Sequence, residues 1–460
     1  MIAVRARPWL LLPIETKARE FHAKLFQAAI AAERGFDVVL GEQASMQRYL
    51  RFLPRGVYID KSVARSKTKT FRRGRRIGNR IVAWCEEGLV YRDCDTYLHE
   101  RVVPESMELV DRFFAWGDVQ SADIRAWTPS LADRVTITGN PRFDVLRPGL
   151  REVFRREADA IRAKWGPFVM VNTNFARFNH FYGRDWVHDM LRRRGIIDTA
   201  ERAVQYQRLS AFLGELYRAF AEMLPELSRS LPGHRIVVRP HPSENHSRWR
   251  NEVSGMSNVH VVHEGAVAPW LMAADLTIHN SCTTGVEAYL LERPVVAYQP
   301  VVSELFDSFL PHAVSRIART PQELATLAQE ITRNGEPLVS GAHYEASRYV
   351  AALDGAFAAD RVVDALELLE PPRTPRMPAA TALAGRSVLG AWAPVRNAIH
   401  SVFRGPEGGG RYQSQKFPGL ALAEVRAVLG DLCAASGRLS AVRVAKVSAA
   451  RACFWLTAKP

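Results

Sequence analysis

The chain has 460 residues, 47% of them hydrophobic and 24% charged, which is too long for one compact core and too apolar for a disordered chain. The formal net charge of +14 is unevenly placed: residues 61–80 carry nine Lys/Arg and no acid, and residues 371–460 carry thirteen against Glu407, Glu424 and Asp431, leaving −5 for the other 350. A broad cationic footprint of the kind that grips a nucleic-acid backbone is thereby disfavoured, and no nucleic-acid partner is expected.

Five cysteines, at 85, 94, 282, 433 and 453, form no CxxC pair, and an odd count is a poor disulfide framework, so a reducing compartment is expected. The apolar run 8–14 is too short for a signal-peptide core, and no small-residue cleavage site separates it from Glu15, Lys17 and Arg19. It reads as a first buried strand. No stretch reaches about 18 uninterrupted apolar residues, so no membrane span is expected and the cytoplasm is the default location.

In chain order, a strand at 9–14 is followed by a helical-period stretch at 16–34, with Ala18, Phe21, Leu25, Ala28, Ala29 and Ala32 on one stripe, and by a strand at 36–40. Short apolar runs at 56–59, 81–84, 113–116 and 135–138 continue the rhythm. After a charged helical stretch at 148–164 the pattern restarts, with strands at 168–172, 235–239, 259–263, 276–279 and 295–298 and helices near 201–227, 284–291 and 321–334. Alternation of this kind predicts mostly parallel sheets covered on both faces. The fold class expected is therefore α/β, two Rossmann-like domains facing a cleft, with a basic C-terminal extension. Residues 1–150 form the first domain, 151–370 the second, 371–415 a Pro/Gly/Arg-rich linker and 416–460 a C-terminal helical segment.

Ligands of doubly wound domains lie at the carboxyl ends of strands, and three motifs fall there. Arg239-Pro-His-Pro242 follows the strand at 235–239. Its prolines stiffen the exit, and His241 can hold a phosphate or protonate it as it leaves, although a histidine in such a turn more often bonds a nearby carbonyl. His279-Asn-Ser-Cys-Thr-Thr-Gly-Val-Glu287 follows the strand at 276–279. Ser281, Thr283 and Thr284 offer hydroxyls at a helix start, with Gly285 allowing close approach, while an ordinary capping box with Glu287 is the plainer alternative. Trp84-Cys-Glu-Glu-Gly88 follows the strand at 81–84, where Glu86 or Glu87 is expected to enter a partly desolvated cleft as a general base, a solvated acidic turn being the equal alternative. Asn172 and Asn174 end the second domain's first strand and can orient a donor sugar or merely cap the next element. Asp93-Cys-Asp95 reads as an exposed loop, and no metal site or cofactor is expected. Neither GxxxxGK[ST] nor GxGxxG occurs.

The order of these motifs, acidic-acidic-Gly in the first domain, then His-Pro and a Ser/Thr loop in the second, resembles GT-B glycosyltransferases that use CMP-activated sugars, the bacterial sialyl- and Kdo transferases. With Leu12-Pro-Ile-Glu-Thr-Lys17, Tyr58-Ile-Asp-Lys61, Gly139-Asn-Pro-Arg-Phe-Asp144, Val171-Asn-Thr-Asn174 and Lys416-Phe-Pro-Gly-Leu420, the chain is most similar to the bacterial surface carbohydrate (polysaccharide) biosynthesis protein family. The resemblance covers most of the chain and weakens between about 371 and 412. It implies a metal-independent glycosyltransferase moving a sugar from a CMP-linked donor to a lipid-linked or polysaccharide acceptor. Glu86 is then the base, with Glu87 as partner or replacement. His241 binds the leaving phosphate, aided by Arg239, Pro242, Asn280, Ser281, Thr283, Thr284, Gly285 and Glu287. Glu15, Lys17, Asp60, Lys61 and Arg142 fall on the acceptor side. Inverting and retaining outcomes both stay open. The 139–144 segment is also similar to one in teichoic-acid glycerophosphotransferases, which keeps a CDP-alcohol donor open, and a non-catalytic nucleotide-sugar or glycan-binding module is the third reading.

The two basic stretches fit a protein at the inner face of the plasma membrane, at about 1 kcal/mol per well-placed cation on anionic lipid. The stretch 379–403 has the apolar spacing of an interfacial helix, interrupted by Pro394.

Overall fold

Short runs of branched and aromatic side chains without polar alternation suit strands buried on both faces, and such runs form the two sheets of the computed structural model, which describes residues 7–335, 339, 341–374, 387, 416–447, 450 and 452–458. The strands are β1 (Trp9–Ile14), β2 (Asp37–Glu42), β3 (Val57–Asp60), β4 (Arg80–Ala83), β5 (Arg112–Ala115), β6 (Val135–Ile137), β7 (Phe168–Thr173), β8 (Arg235–Pro240), β9 (Val259–Val261), β10 (Leu276–His279), β11 (Val295–Tyr298), β12 (Arg316–Ala318), β13 (Val442–Lys446) and β14 (Cys453–Ala458). They divide between two compact units. Unit 1 comprises Met1–Glu86, Arg101–Val153 and Val350–Pro460; unit 2 comprises Glu87–Glu100 and Phe154–Tyr349.

In unit 1 the sheet order is β13-β14-β2-β1-β3-β4-β5-β6, parallel from β2 to β6, with β14 antiparallel to both β2 and β13. The helix Lys17–Glu33 buries Phe21, Leu25, Ala28, Ala29 and Ala32 of its expected stripe, but Ala18 is exposed, and Ala23, Phe26, Ile30 and Ala31 on the other faces are buried too. Residues 416–460, expected to be helical, contain one helix, Leu422–Ser436, and then the β13–β14 hairpin, which extends the first sheet. The alternation of Val442 and Val444 with exposed Arg443 is a strand signal that the basic, alanine-rich composition concealed. The proposed interfacial helix at 379–403 lies outside the described residues apart from Ser387.

Ion pairs fasten the C-terminal segment to the rest of unit 1. The Arg438 guanidinium lies 2.6 Å from Glu33 and 3.0 Å from Asp360, and Lys17 pairs with Glu424 at 2.7 Å. The basic run at 61–80 is also partnered: Lys61 pairs with Glu15, Lys67 with Asp60, and both Arg75 and Arg80 with Asp111.

Unit 2 has the order β12-β11-β10-β7-β8-β9, all parallel. Counted along the unit's own chain this is 3-2-1-4-5-6 read from the other edge, the doubly wound Rossmann arrangement, with its reversal between β7 and β10. The long helix Ala200–Ser230 lays Leu216, Phe220, Leu224 and Leu227 against Val169, Val171, Ile236 and Val238. Among the described residues no helix is long and apolar enough to cross a membrane.

Phe454, 1% exposed on β14 and paired with Leu40 of β2, carries the apolar weight of the hairpin. Phe454→Ala is expected to lower the stability of unit 1 by about 3–5 kcal/mol, read from urea unfolding with a probe confined to that unit.

Candidate functional site

In unit 2 the strand order reverses between β7 and β10, the point at which open α/β sheets hold their ligands, and polar side chains from the ends of both strands meet there. Asn172 Nδ2 donates to Thr284 Oγ1 at 2.9 Å. The Asn174 amide donates to Asn280 Oδ1 at 2.9 Å, and Asn280 Nδ2 returns a bond to the Asn174 carbonyl at 3.3 Å. Asn172, Asn174, Asn280 and Thr284, read from sequence as separate motifs, are thus one cluster.

The helix Thr283–Leu290 starts inside this cluster. Its first-turn N–H groups and macrodipole favour an anion, and Ser281, Thr283 and Thr284 add hydroxyls. The capping box weighed above does not form: the N-cap position is Cys282, Gly285 occupies the position a Glu would need, and Glu287 is buried a turn into the helix. Ser281 has a φ of 62°, a left-handed conformation uncommon outside glycine, which turns the chain sharply from strand to helix.

Beneath the loop lies His279, fully buried. Its Nδ1 accepts from the Ser281 amide at 3.1 Å, so the proton sits on Nε2, which bonds Ser315 Oγ at 2.9 Å. Burial, with the nearby His312, pushes its pKa down to about 3, so the ring is neutral. Gly285 owes its small size to this ring, because a Cβ there would lie 2.4 Å from His279 Nε2. The close approach inferred for a ligand is therefore one made by the protein's own histidine, a residue whose role sequence reasoning missed.

The His-Pro motif is at the end of β8, one strand from the reversal. The exposed His241 accepts at Nδ1 from the Ser243 amide at 3.2 Å, so Nε2 carries the proton of the neutral ring. Pro242, also exposed, follows it in the turn. Arg239 is not at the ligand's disposal: its guanidinium donates to the carbonyls of Glu264 and Gly265, both at 2.8 Å, and lies over the Trp270 ring. The turn is organised by Glu244, which no motif flagged. Its buried carboxylate accepts from Thr173 Oγ1 (2.9 Å), the amides of Phe175 and His241 (3.0 Å each) and Trp249 Nε1 (2.8 Å).

In unit 1 the order β2-β1-β3 reverses between β1 and β3, and Glu15, Asp60 and Lys61 gather there. Against burial, which pushes it up, Lys61 and Lys416 pull the Glu15 carboxyl down to about 2. Lys416 reaches Glu15 at 2.7 Å, so the C-terminal segment contributes to this cluster. Lys17 points to Glu424 instead. Glu86, 5% exposed, accepts from Trp84 Nε1 at 2.8 Å through Oε1, while its Oε2 has no hydrogen-bond partner among the described residues. Glu87 is half-buried and belongs to unit 2, the division between units falling between the two acids. Arg142 starts a short helix, its amide donating to Asn140 Oδ1 at 2.9 Å, and Asp144 accepts from the amides of Ala358 and Ala359, both at 2.8 Å. The 139–144 motif is thus a joint within unit 1. Asp93 caps the helix Cys94–Arg101 through the Thr96 amide at 2.7 Å, and Asp95 pairs with Arg202; no cluster of three or more metal-ligating side chains occurs among the described residues.

No family model and no curated protein matches the chain. Solved structures do. The UDP-GlcNAc 2-epimerase from Neisseria meningitidis bound to UDP-GlcNAc is 13% identical, with a TM-score of 0.48 over 78% of this chain and 100% of that one. The UDP-GlcNAc 2-epimerase from Methanocaldococcus jannaschii in complex with UDP-GlcNAc and UDP is 12% identical, with a TM-score of 0.47 over 78% and 99%. HepE from Anabaena in complex with UDP and glucose is 11% identical, with a TM-score of 0.42 over 79% and 99%. The likeness concerns the fold alone; that the chain has two α/β units, each built on a largely parallel, doubly wound sheet, is shown by their own strand orders. Those structures hold UDP or UDP-GlcNAc, not the CMP-linked donor expected from sequence, and the cytidine-dependent glycosyltransferase and its CDP-alcohol variant are not carried further.

The neutral, buried His279 makes stability pH-dependent with a definite sign. Its folded pKa of about 3 lies below the unfolded 6.5, so its contribution is complete above pH 6.5 and is lost as pH falls toward 3, by at most about 1.4 kcal/mol per pH unit. Urea unfolding from pH 7.5 to 4.5 is expected to show this slope, and His279→Asn, which keeps an acceptor for the Ser281 amide, is expected to reduce it by about one proton.

Proposed function

We propose that the protein is an enzyme that processes a nucleotide-activated sugar, with the phosphates held in unit 2 between the ends of β7 and β10. The observation that carries this reading is the meeting of Asn172 with Thr284, and of Asn174 with Asn280, at the reversal of the 3-2-1-4-5-6 sheet, beside the start of the helix Thr283–Leu290. Open α/β sheets bind ligands at that point, and a helix start with hydroxyls suits a phosphate. His241, whose Nε2–H is a donor in the neutral ring, is the second phosphate ligand in this proposal. Glu86 is the acid–base group: a buried carboxylate with one oxygen unpartnered among the described residues can accept a hydrogen bond from a hydroxyl presented to it or take the proton of a C–H acid. Lys61, Lys416 and Glu15 then form the polar surround of unit 1's own strand reversal.

Calorimetric titration with UDP-GlcNAc, UDP and CMP tests the binding half. Micromolar binding of a uridine nucleotide is expected, and weaker by about tenfold or more in Asn172→Ala and Thr284→Val, as for the loss of a hydrogen bond to a charged group. Failure of every nucleotide to bind the wild type overturns the reading.

The catalytic half is tested by Glu86→Gln, which keeps an acceptor for Trp84. Turnover of the bound nucleotide sugar, followed by NMR, is expected to fall at least about 100-fold with nucleotide affinity unchanged.

A further inference from the structure

Beyond β7 the chain presents four rings in seven residues, His180, Phe181, Tyr182 and Trp186. His180 stacks on Phe181 with centroids 4.7 Å apart and on Trp186 at 4.8 Å, while Tyr182 lies 3.9 Å from Phe181 and 4.8 Å from Trp186. Phe181 is 39% and Tyr182 37% exposed, so the cluster offers aromatic surface to solvent. It is not a loosely held tip. His180 forms an antiparallel bridge with Glu244, and the Phe181 amide donates to the Ser243 carbonyl at 3.1 Å. Through Glu244, which also binds Thr173 Oγ1 and the His241 amide, the rings are tied to the ends of both β7 and β8. Thr173 is the residue next to Asn172.

We propose that Phe181 and Tyr182 form the stacking platform for the nucleobase of the bound nucleotide. This rests on the nucleotide-sugar reading above and specifies how that site recognises the base. Two observations select a base over another partner. The platform shares the end of β7 with the phosphate cluster, and it is tied to the strand second in order, β8, where the ribose of a nucleotide sits in sheets of this topology. A planar base covers exposed aromatic surface and gains stacking energy from it, with little dependence on which base it is. Tolerance of that kind is consistent with the lack, in this segment's sequence, of a signal that distinguishes uridine from cytidine.

The test compares UDP with pyrophosphate as calorimetric probes, pyrophosphate being read by competition against UDP. In the Phe181→Ala/Tyr182→Ala double variant the Kd for UDP is expected to rise at least about tenfold, while that for pyrophosphate stays within twofold of wild type. Phe181→Trp, which restores a face, is expected to hold UDP as well as the wild type. Asn172→Ala is expected to weaken both probes. An unchanged UDP Kd in the double variant overturns the platform and leaves the phosphate site standing. Equal losses for UDP and pyrophosphate overturn it too, because a merely structural effect gives that pattern. If the wild type binds neither UDP nor any other nucleotide, the nucleotide-sugar reading itself falls and takes the platform with it.

Discussion

Glu244 lies buried where β7 and β8 end, and its two oxygens receive bonds from a threonine hydroxyl, two backbone amides and a tryptophan. A carboxylate taken out of water needs such company, because desolvation without compensating donors costs several kcal/mol. Once satisfied, it fixes three things together: the exit of β7 toward Asn174, the His-Pro turn after β8, and the aromatic segment bridged through His180. Much of the unit 2 site therefore inherits its geometry from one acid that touches no proposed ligand.

The other half of the site rests on a comparable device of opposite character. His279 is buried and neutral, and its two ring nitrogens bond the Ser281 amide and the Ser315 hydroxyl. It holds the strand-to-helix turn at Ser281 in its left-handed conformation and requires a glycine at 285. Preorganisation of this sort matters for an anion site, since amide donors already in place need no reorganisation when charge arrives.

Strands were legible wherever the apolar run was continuous: β1, β10 and β11 fall where the sequence puts them, because burial on both faces leaves no other reading of Leu-Leu-Leu or Val-Val-Ala. The polar residues at the ends of β7 and β10 were legible as strand-end positions, though not as one cluster, since the contact between Asn172 and Thr284 spans 112 residues. Glu244 and His279 were invisible for the same reason: a residue that works by receiving distant donors has no local pattern. Arg239 misled, because a cation beside a His-Pro motif looks like a phosphate ligand until its guanidinium is seen to bond two carbonyls. The net charge misled in a similar way. Several of the cations counted in the two basic stretches, among them Lys61, Lys67, Lys416 and Arg438, face acids of unit 1 and leave less free charge for a lipid surface than the tally promised.

The antiparallel seat of β14 on β2 joins the last described strand to the second one, across more than 400 residues of intervening chain. Unit 2 is assembled almost wholly from residues 154–349, so on a ribosome it is complete well before β14 emerges. Until then β2 is an open sheet edge with Val38, Val39 and Leu40 awaiting a partner, the kind of edge that invites pairing with another chain. Synthesis of this protein thus carries a window, lasting until β14 pairs with β2, in which unit 2 is finished and the sheet of unit 1 still has an open edge.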